Sequence, residues 1–227
     1  MVLSKRLQCI ADFVDKGSIA ADVGTDHGYI PIWLIENGIC AHVAASDIHA
    51  QPLEKARENA AAHGVSDRIR FIRCPGLEAY SSTDADTIII AGMGGETMID
   101  ILSSAPWAIE KTLVLQPQTK ISELRKWLWE NGYNSVDAHL VADAGRIYQV
   151  WKVKAGTKKL DENELYIDRH IIEHKDVLLH EYADALIQRH RAKIAGMEMA
   201  SDADAEELAS CRRELESFMR IRSELYG

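Results

Sequence analysis

No apolar run in this 227-residue chain approaches the ~18 residues needed to cross a bilayer. The longest tight run, "TIIIAGM" at 87–93, has the length of a strand. The opening "MVLSKRLQCIADF" has neither the long apolar core nor the small-residue cleavage site of a signal peptide. Cys9, Cys40, Cys74 and Cys211 stand apart with no C-x-x-C, so no disulfide framework is expected. A cytoplasmic protein with reduced thiols is the expectation. There is no basic excess either. Net charge is −9, with 16 basic and 19 acidic residues in 1–158 and 10 and 16 in 159–227. No whole-domain positive field advertises nucleic acid, so any such contact must rest on local clusters. Internal repeats, low-complexity segments and a G-x-G-x-x-G are also missing.

Up to about residue 155 the chain alternates β-rich runs with helix-like runs, as a parallel sheet with crossover helices does. A first helix is expected over 4–16, capped by Ser4, with Leu7, Ile10, Ala11 and Val14 as its apolar stripe. Strands are expected at 18–23, 42–48, 68–73, 86–92 and 111–117. Helices are expected at 29–38, 50–64, 95–105 and 121–132, several with an early Pro or a terminal Gly. The rhythm then changes. "SVDAHLV" (135–141) and "RIYQVWKV" (146–153) flank "ADAG", and four linking residues permit only an antiparallel return. Five parallel strands plus a terminal β-hairpin make seven. That order separates a methyltransferase-type sheet from an all-parallel dinucleotide-binding one, against which the missing G-x-G-x-x-G also argues.

A polar linker, 154–163, precedes a different pattern. Leu165, Ile172, Leu179 and Leu186 recur every seven residues. After a short polar loop, Leu208, Cys211, Leu215, Phe218 and Leu225 follow a 3-4 spacing broken by Arg222. Two such stripes predict an antiparallel helical hairpin packed as a coiled coil. The expected domains are therefore 1–155 and 156–227.

The residues suited to chemistry gather at the carboxyl ends of the expected strands, where open α/β sheets bind ligands. Asp22 and Gly24 end the first strand, and Gly24 lets backbone turn sharply beside a ligand. Asp26 and His27 follow, where a permissive glycine would be usual. Asp47 ends the second strand and can accept both ribose hydroxyls of an adenosine-type ligand. "AGMGGE" (91–96) offers three glycines around one methionine, read as an open shelf for a flat ring. Gln116 brings a donor and an acceptor to the same edge.

Outside that edge, His170 and His174 are spaced i, i+4 without an evident third ligand, so they read as solvated surface histidines and no metal is expected. Lys5 and Arg6, Arg125 and Lys126, Lys152, Lys154, Lys158 and Lys159, and Arg189, Arg191 and Lys193 with His190 form basic clusters. The last group is expected at the turn of the helical hairpin. A row of such charges can track a phosphate backbone.

"LSKRL" (3–7), "ADVGTDHGYIP" (21–31), "IAGMGGE" (90–96), "LVLQP" (113–117) and "AGRIYQV" (144–150) together resemble the bacterial tRNA (adenine-22-N1)-methyltransferases, the TrmK family. The resemblance spans residues 3 to about 153. It implies a class I, Rossmann-like fold, S-adenosylmethionine as methyl donor and tRNA as partner, with neither a membrane nor an obligatory protein partner. By position it implies that Asp22, Gly24, His27, Asp47, Ile48, Gly76, Leu77, Ala91, Gly92 and Met93 bind the cofactor and that Asp26 faces the target adenine. Lys5, Arg6, Gly94, Gln116, Arg146, Tyr148, Arg189, Arg191 and Lys193 are its candidates for substrate contact. One departure stands in "CPGL" (74–77): the family usually has Asp or Asn before the glycine, able to bond the cofactor's adenine amine, and Pro75 offers only a carbonyl. Two other readings stay open on sequence alone: a class I methyltransferase for a small molecule or protein, and a non-catalytic RNA-binding relative.

Overall fold

The computed structural model describes residues 1–157, 162–200 and 204–224. It divides into two compact units, Met1–Leu160 and Asp161–Gly227. The first is a seven-stranded sheet in the order β3-β2-β1-β4-β5-β7-β6. Strands β1 (Ala20–Val23), β2 (Val43–Asp47), β3 (Ile69–Arg73), β4 (Thr87–Met93) and β5 (Thr112–Pro117) pair in parallel. Helices α1 (Lys5–Asp12), α2 (Tyr29–Glu36), α3 (Ala50–Ala62), α4 (Gly95–Ser103) and α5 (Ile121–Glu130) alternate with them. Ser4 caps α1, its hydroxyl accepting from the Leu7 amide at 3.4 Å.

β4 lies in the middle of the sheet. Ile88, Ile89 and Ile90 are fully buried there, which explains why that strand is apolar on both faces. Each such side chain contributes about 2 kcal/mol of burial. All five parallel strands and their helices fall where the sequence rhythm puts them, with ends within two residues of expectation outside α1. The largest trim is in α1, which ends at Asp12 although Phe13 and Val14 remain buried in the core.

The hairpin is longer and tighter than its sequence suggests. β6 (Tyr133–Asp143) and β7 (Arg146–Ala155) pair antiparallel, and β7 also runs antiparallel to β5. Only Ala144 and Gly145 link the two strands, both with positive φ (49° and 74°). That is the two-residue turn whose twist matches a hairpin, and it places a non-glycine residue at a φ that costs of order 1 kcal/mol.

The second unit departs further from expectation. The seven-residue spacing from Leu165 to Leu186 does not lie on one helix. It crosses a 3-10 turn (Glu162–Leu165), the short α6 (Arg169–Glu173) and the start of α7 (Leu179–Met199). Between α6 and α7, Lys175 takes a φ of 49° and the Asp176 carboxylate accepts from the Leu178 amide at 2.9 Å. Such local side-chain bonding competes with helix. α7 and α8 (Ala205–Glu224) pack antiparallel: His190 meets Glu214, Lys193 meets Glu207, Glu198 meets Arg212 and Asp184 meets Arg222. Arg222 is thus a rung of the pair rather than a break in it. Cys211, Phe218 and Ile221 are the buried rungs of α8. Leu225 lies outside the described residues, as do Lys158 and Lys159.

Candidate active site at the carboxyl edge of the sheet

Because β2, β1, β4 and β5 are consecutive neighbours and all run the same way, the loops that leave them meet on one edge. Register brings Asp22 opposite Ala45 and Ile89, and Ala91 opposite Gln116. The edge has two halves.

The β1–β2 half is rich in buried polar groups. The Gly24 and Thr25 amides both donate to the Ser46 carbonyl at 2.8 Å, which folds the loop over β2. Gly24 has φ +76°, a turn that disfavours any side chain, and a Cβ added there would stand 2.0 Å from Met93 Cε, so the methionine tip would have to move. Asp22 is buried, and burial pushes its carboxyl up to about 6; the Thr25 hydroxyl pulls the other way and the nearby Asp47 charge adds to the rise. Burial likewise pushes the Tyr80 phenol up. Thr25 Oγ1, His27 Nδ1, Ser46 Oγ and Tyr80 OH are buried without a well-formed hydrogen bond; the Thr25 hydroxyl acts on Asp22, and the Ser46 hydroxyl on Tyr80, only at looser geometry. Poorly bonded buried polar atoms are costly and uncommon in folded proteins, and four around one loop mark a place for a polar ligand. Asp47 ends β2; its Oδ1 accepts from the His49 amide at 2.7 Å, beside the exposed Ile48.

Beyond β3, Cys74 and Leu77 are buried and Gly76 is packed so closely that a Cβ would meet Ile101 Cγ1 at 2.9 Å. The Pro75 carbonyl already accepts from the Glu78 amide at 3.2 Å. The single polar atom that sequence reasoning left to Pro75 is therefore engaged in its own turn.

On the outer side of the β1 loop, Asp26 is 78% exposed, and its Oδ1 lies 3.2 Å from His27 Nε2. His27 has φ 61° and stacks on Tyr29 at 5.3 Å between centroids, while its carbonyl accepts from Asn59 Nδ2 at 2.9 Å. The strained, bracketed histidine holds its neighbour's carboxylate out over the edge.

The β4–β5 half is organised differently. Gly92 forms a bulge with φ +79°, the register shifting between Ala91 and Met93, and a Cβ there would meet Arg6 Nη1 and Gln118 Nε2 at ordinary contact distance, 3.8 Å each. The other glycines of "AGMGGE" do not contribute to an open shelf. A Cβ at Gly94 would stand 2.9 Å from Thr119 Oγ1, and one at Gly95 would stand 2.3 Å from the Lys120 carbonyl oxygen. They are glycine because the β5–α5 loop packs on them. Gln116 is fully buried, accepting from Arg6 Nη1 at 2.7 Å and donating to the Pro117 carbonyl at 2.9 Å. The Arg6 guanidinium lies 5.7 Å from the Tyr148 ring centroid.

Asp22, Gly24, Asp26, His27, Asp47, Ala91, Gly92, Met93, Gln116, Arg6 and Tyr148 are thus brought to one edge. Lys5, one residue from Arg6 and so about 100° around the helix, lines a separate surface cleft with Gln8, Asp12 and His139. Arg146 is exposed at the hairpin tip, and the facing Asp143 accepts from Ser4 Oγ at 2.8 Å. Two basic clusters change meaning. Arg125 is buried, stacked 4.8 Å from the Trp151 ring, and cannot track a phosphate chain. Arg189, Arg191 and Lys193 lie within α7 rather than at its turn, and Lys193 is paired with Glu207 at 2.9 Å. His170 is not a solvated histidine: its side chain is 17% exposed, with Nδ1 2.8 Å from the buried Asp168 carboxylate. His174 is exposed. Thr25, Ser46 and Tyr80 were missed in the sequence, where no motif or spacing singles them out.

A methyltransferase-domain family model matches residues 3–151. The tRNA (adenine(22)-N(1))-methyltransferase of Bacillus subtilis is 32% identical over 158 residues, 69% of this chain and 66% of that protein. A candidate tRNA methyltransferase of Mycoplasma pneumoniae is 30% identical over 200 residues, 85% of this chain and 92% of that one. The chain belongs to the TrmK-like methyltransferases. A candidate tRNA (m1A22) methyltransferase of Streptococcus pneumoniae superposes with a TM-score of 0.86 at 28% identity, covering 97% of this chain and 100% of that one. That protein has also been crystallised with S-adenosyl-L-methionine, a structure that matches at 29% identity with a TM-score of 0.82 over 97% of this chain and 100% of that one.

Proposed function

We propose that this chain transfers a methyl group from S-adenosylmethionine to N1 of adenine 22 in tRNA. The observation that carries the reading is the buried, poorly bonded polar set of Thr25, Ser46, His27 and Tyr80 around Asp22, directly beside an exposed Asp26. Those groups fit an adenosyl amino acid, which brings hydroxyls, an ammonium and a carboxylate to bond them. When bound, S-adenosylmethionine supplies an electrophilic methyl group on a sulfonium. Asp22 and the Gly24 turn would hold it on the β1 side, Asp47 would take the ribose hydroxyls, and Ile48, Gly76 and Leu77 would help hold the adenosyl part. Ala91, Gly92 and Met93 would border the reacting centre.

Adenine N1 already carries an in-plane lone pair, so no proton must leave before attack. The protein's work is alignment, worth several kcal/mol when two reactants are held in line. Positive charge moves onto the purine as N1 is methylated. Asp26 would accept from the N6 amino group, fixing the ring and offsetting that charge. A base inside a folded tRNA must leave its stack to reach this edge. In this reading 1–155 carries the transfer and 156–227, with Arg189 and Arg191 exposed on α7, helps grip the RNA.

The net charge of −9, with Arg125 buried and Lys193 paired, favours one rival: methylation of a small molecule. Incubation with labelled S-adenosylmethionine and unmodified bulk tRNA, followed by nucleoside analysis, separates the two. The proposal expects labelled 1-methyladenosine; label absent from RNA but present on a metabolite supports the rival.

A further inference from the structure

Arg6 is half-buried, and its surroundings are neutral. One N–H donates to the Gln116 amide oxygen at 2.7 Å, and the Tyr148 ring lies beside the guanidinium. Among the described residues no carboxylate pairs with it. A partly desolvated cation is ordinarily compensated by an anion, and Arg6 has four further N–H donors in a planar fork. Gln116 cannot read a ligand itself, because it is fully buried with its oxygen on Arg6 and its nitrogen on the Pro117 carbonyl. Its effect is to hold the fork. The fork stands at the reacting edge: a Cβ placed on Gly92 would lie 3.8 Å from Arg6 Nη1, beside the bulge between Ala91 and Met93.

We propose that Arg6, positioned by Gln116 and Tyr148, binds an oxyanion at the transfer site. The fork's geometry suits a carboxylate or a phosphate. Two sources bring one to this edge: the carboxylate of the cofactor's amino-acid part, and the phosphate of the nucleotide that presents the target base. The inference rests on the proposed methyl transfer.

The test is calorimetric titration of S-adenosylhomocysteine and of 5′-methylthioadenosine, which keeps the adenosine and the thioether but has no carboxylate. It is run on the full chain, Arg6→Gln, Arg6→Lys and Gln116→Leu, with KM for tRNA measured in parallel. If the anion is the carboxylate, Arg6→Gln weakens S-adenosylhomocysteine about tenfold and leaves 5′-methylthioadenosine unchanged. If it is the phosphate, both small ligands keep their affinity, KM for tRNA rises about tenfold and its salt dependence flattens. In either case Arg6→Lys recovers part of the loss and Gln116→Leu shows a smaller loss of the same kind. Equal weakening of both small ligands, or no change in any of the three measurements, overturns the assignment and leaves the proposed function standing. A wild-type chain that binds no adenosyl ligand overturns the proposed function, and this assignment with it.

Discussion

At the ends of β1 and β2, buried polar atoms are poorly bonded: Thr25, His27, Ser46 and Tyr80 each carry one, and burial raises the Asp22 carboxyl to about 6, so that its charge is held at a cost. At the ends of β4 and β5 the corresponding groups are tied to one another, with Gln116 bonded to Arg6 and Pro117, and Gly94 and Gly95 filled by loop packing. The first half stores unfavourable energy that a polar ligand relieves. The second is preorganised, with its geometry set before anything binds, as groups that must align a reaction need to be. Destabilised buried polar groups point to binding; rigid, satisfied ones point to positioning.

The comparison can be broken in four places, from the largest expected effect to the smallest. Asp26→Asn should lower kcat on tRNA about a hundredfold while the affinity for S-adenosylhomocysteine stays constant. Single-turnover methylation and calorimetry read the two effects separately, and equal losses in both would return Asp26 to the binding half.

Asp22→Asn should show the cost stored in the first half. Its folded carboxyl titrates near 6 against 3.8 in a free chain, so the carboxyl's favourable contribution is full below pH 3.8 and is lost as pH rises through 6. Removing the charge should stabilise the protein by about 2–3 kcal/mol at pH 8 and by little at pH 4. The affinity for S-adenosylhomocysteine should fall about tenfold, in the usual trade between stability and a site. Denaturant melts at both pH values check the first part. A variant no more stable at pH 8 would show that Asp22 is not strained.

Gly24→Ala should cost about 1–2 kcal/mol, from a positive φ and the contact with Met93, and should weaken ligand binding several-fold. Pro75→Asp is the mildest change. It restores the side chain that the family usually carries there and should tighten S-adenosylhomocysteine about fivefold.

Much of this was legible in the sequence, for physical reasons. The five parallel strands and the terminal hairpin are written in hydrophobic period and linker length, which are local. Asp22, Asp47 and Gly92 were legible because strand ends in a parallel sheet must share an edge. What could not be read depends on distant contacts. Arg6 and Gln116 are 110 positions apart, and neither residue type announces the other. Arg125 sits in an amphipathic helix as an ordinary charged position, and its burial against the Trp151 ring depends on a strand 26 residues further along the chain. The stripe from Leu165 to Leu186 misled because Lys175 and Asp176 break the helix without disturbing the seven-residue spacing. Ser46 and Tyr80 look like any half-polar residues until the β1 loop folds over them.

The central claim is that this edge aligns one particular adenine with a bound methyl donor. It is tested most directly with two unmodified transcripts of one tRNA, identical except that the second carries guanine in place of adenine 22, each incubated with S-adenosylmethionine and digested for nucleoside analysis. The account predicts close to one 1-methyladenosine per molecule in the first transcript and none in the second. The modified nucleoside in both, or in neither, would contradict it.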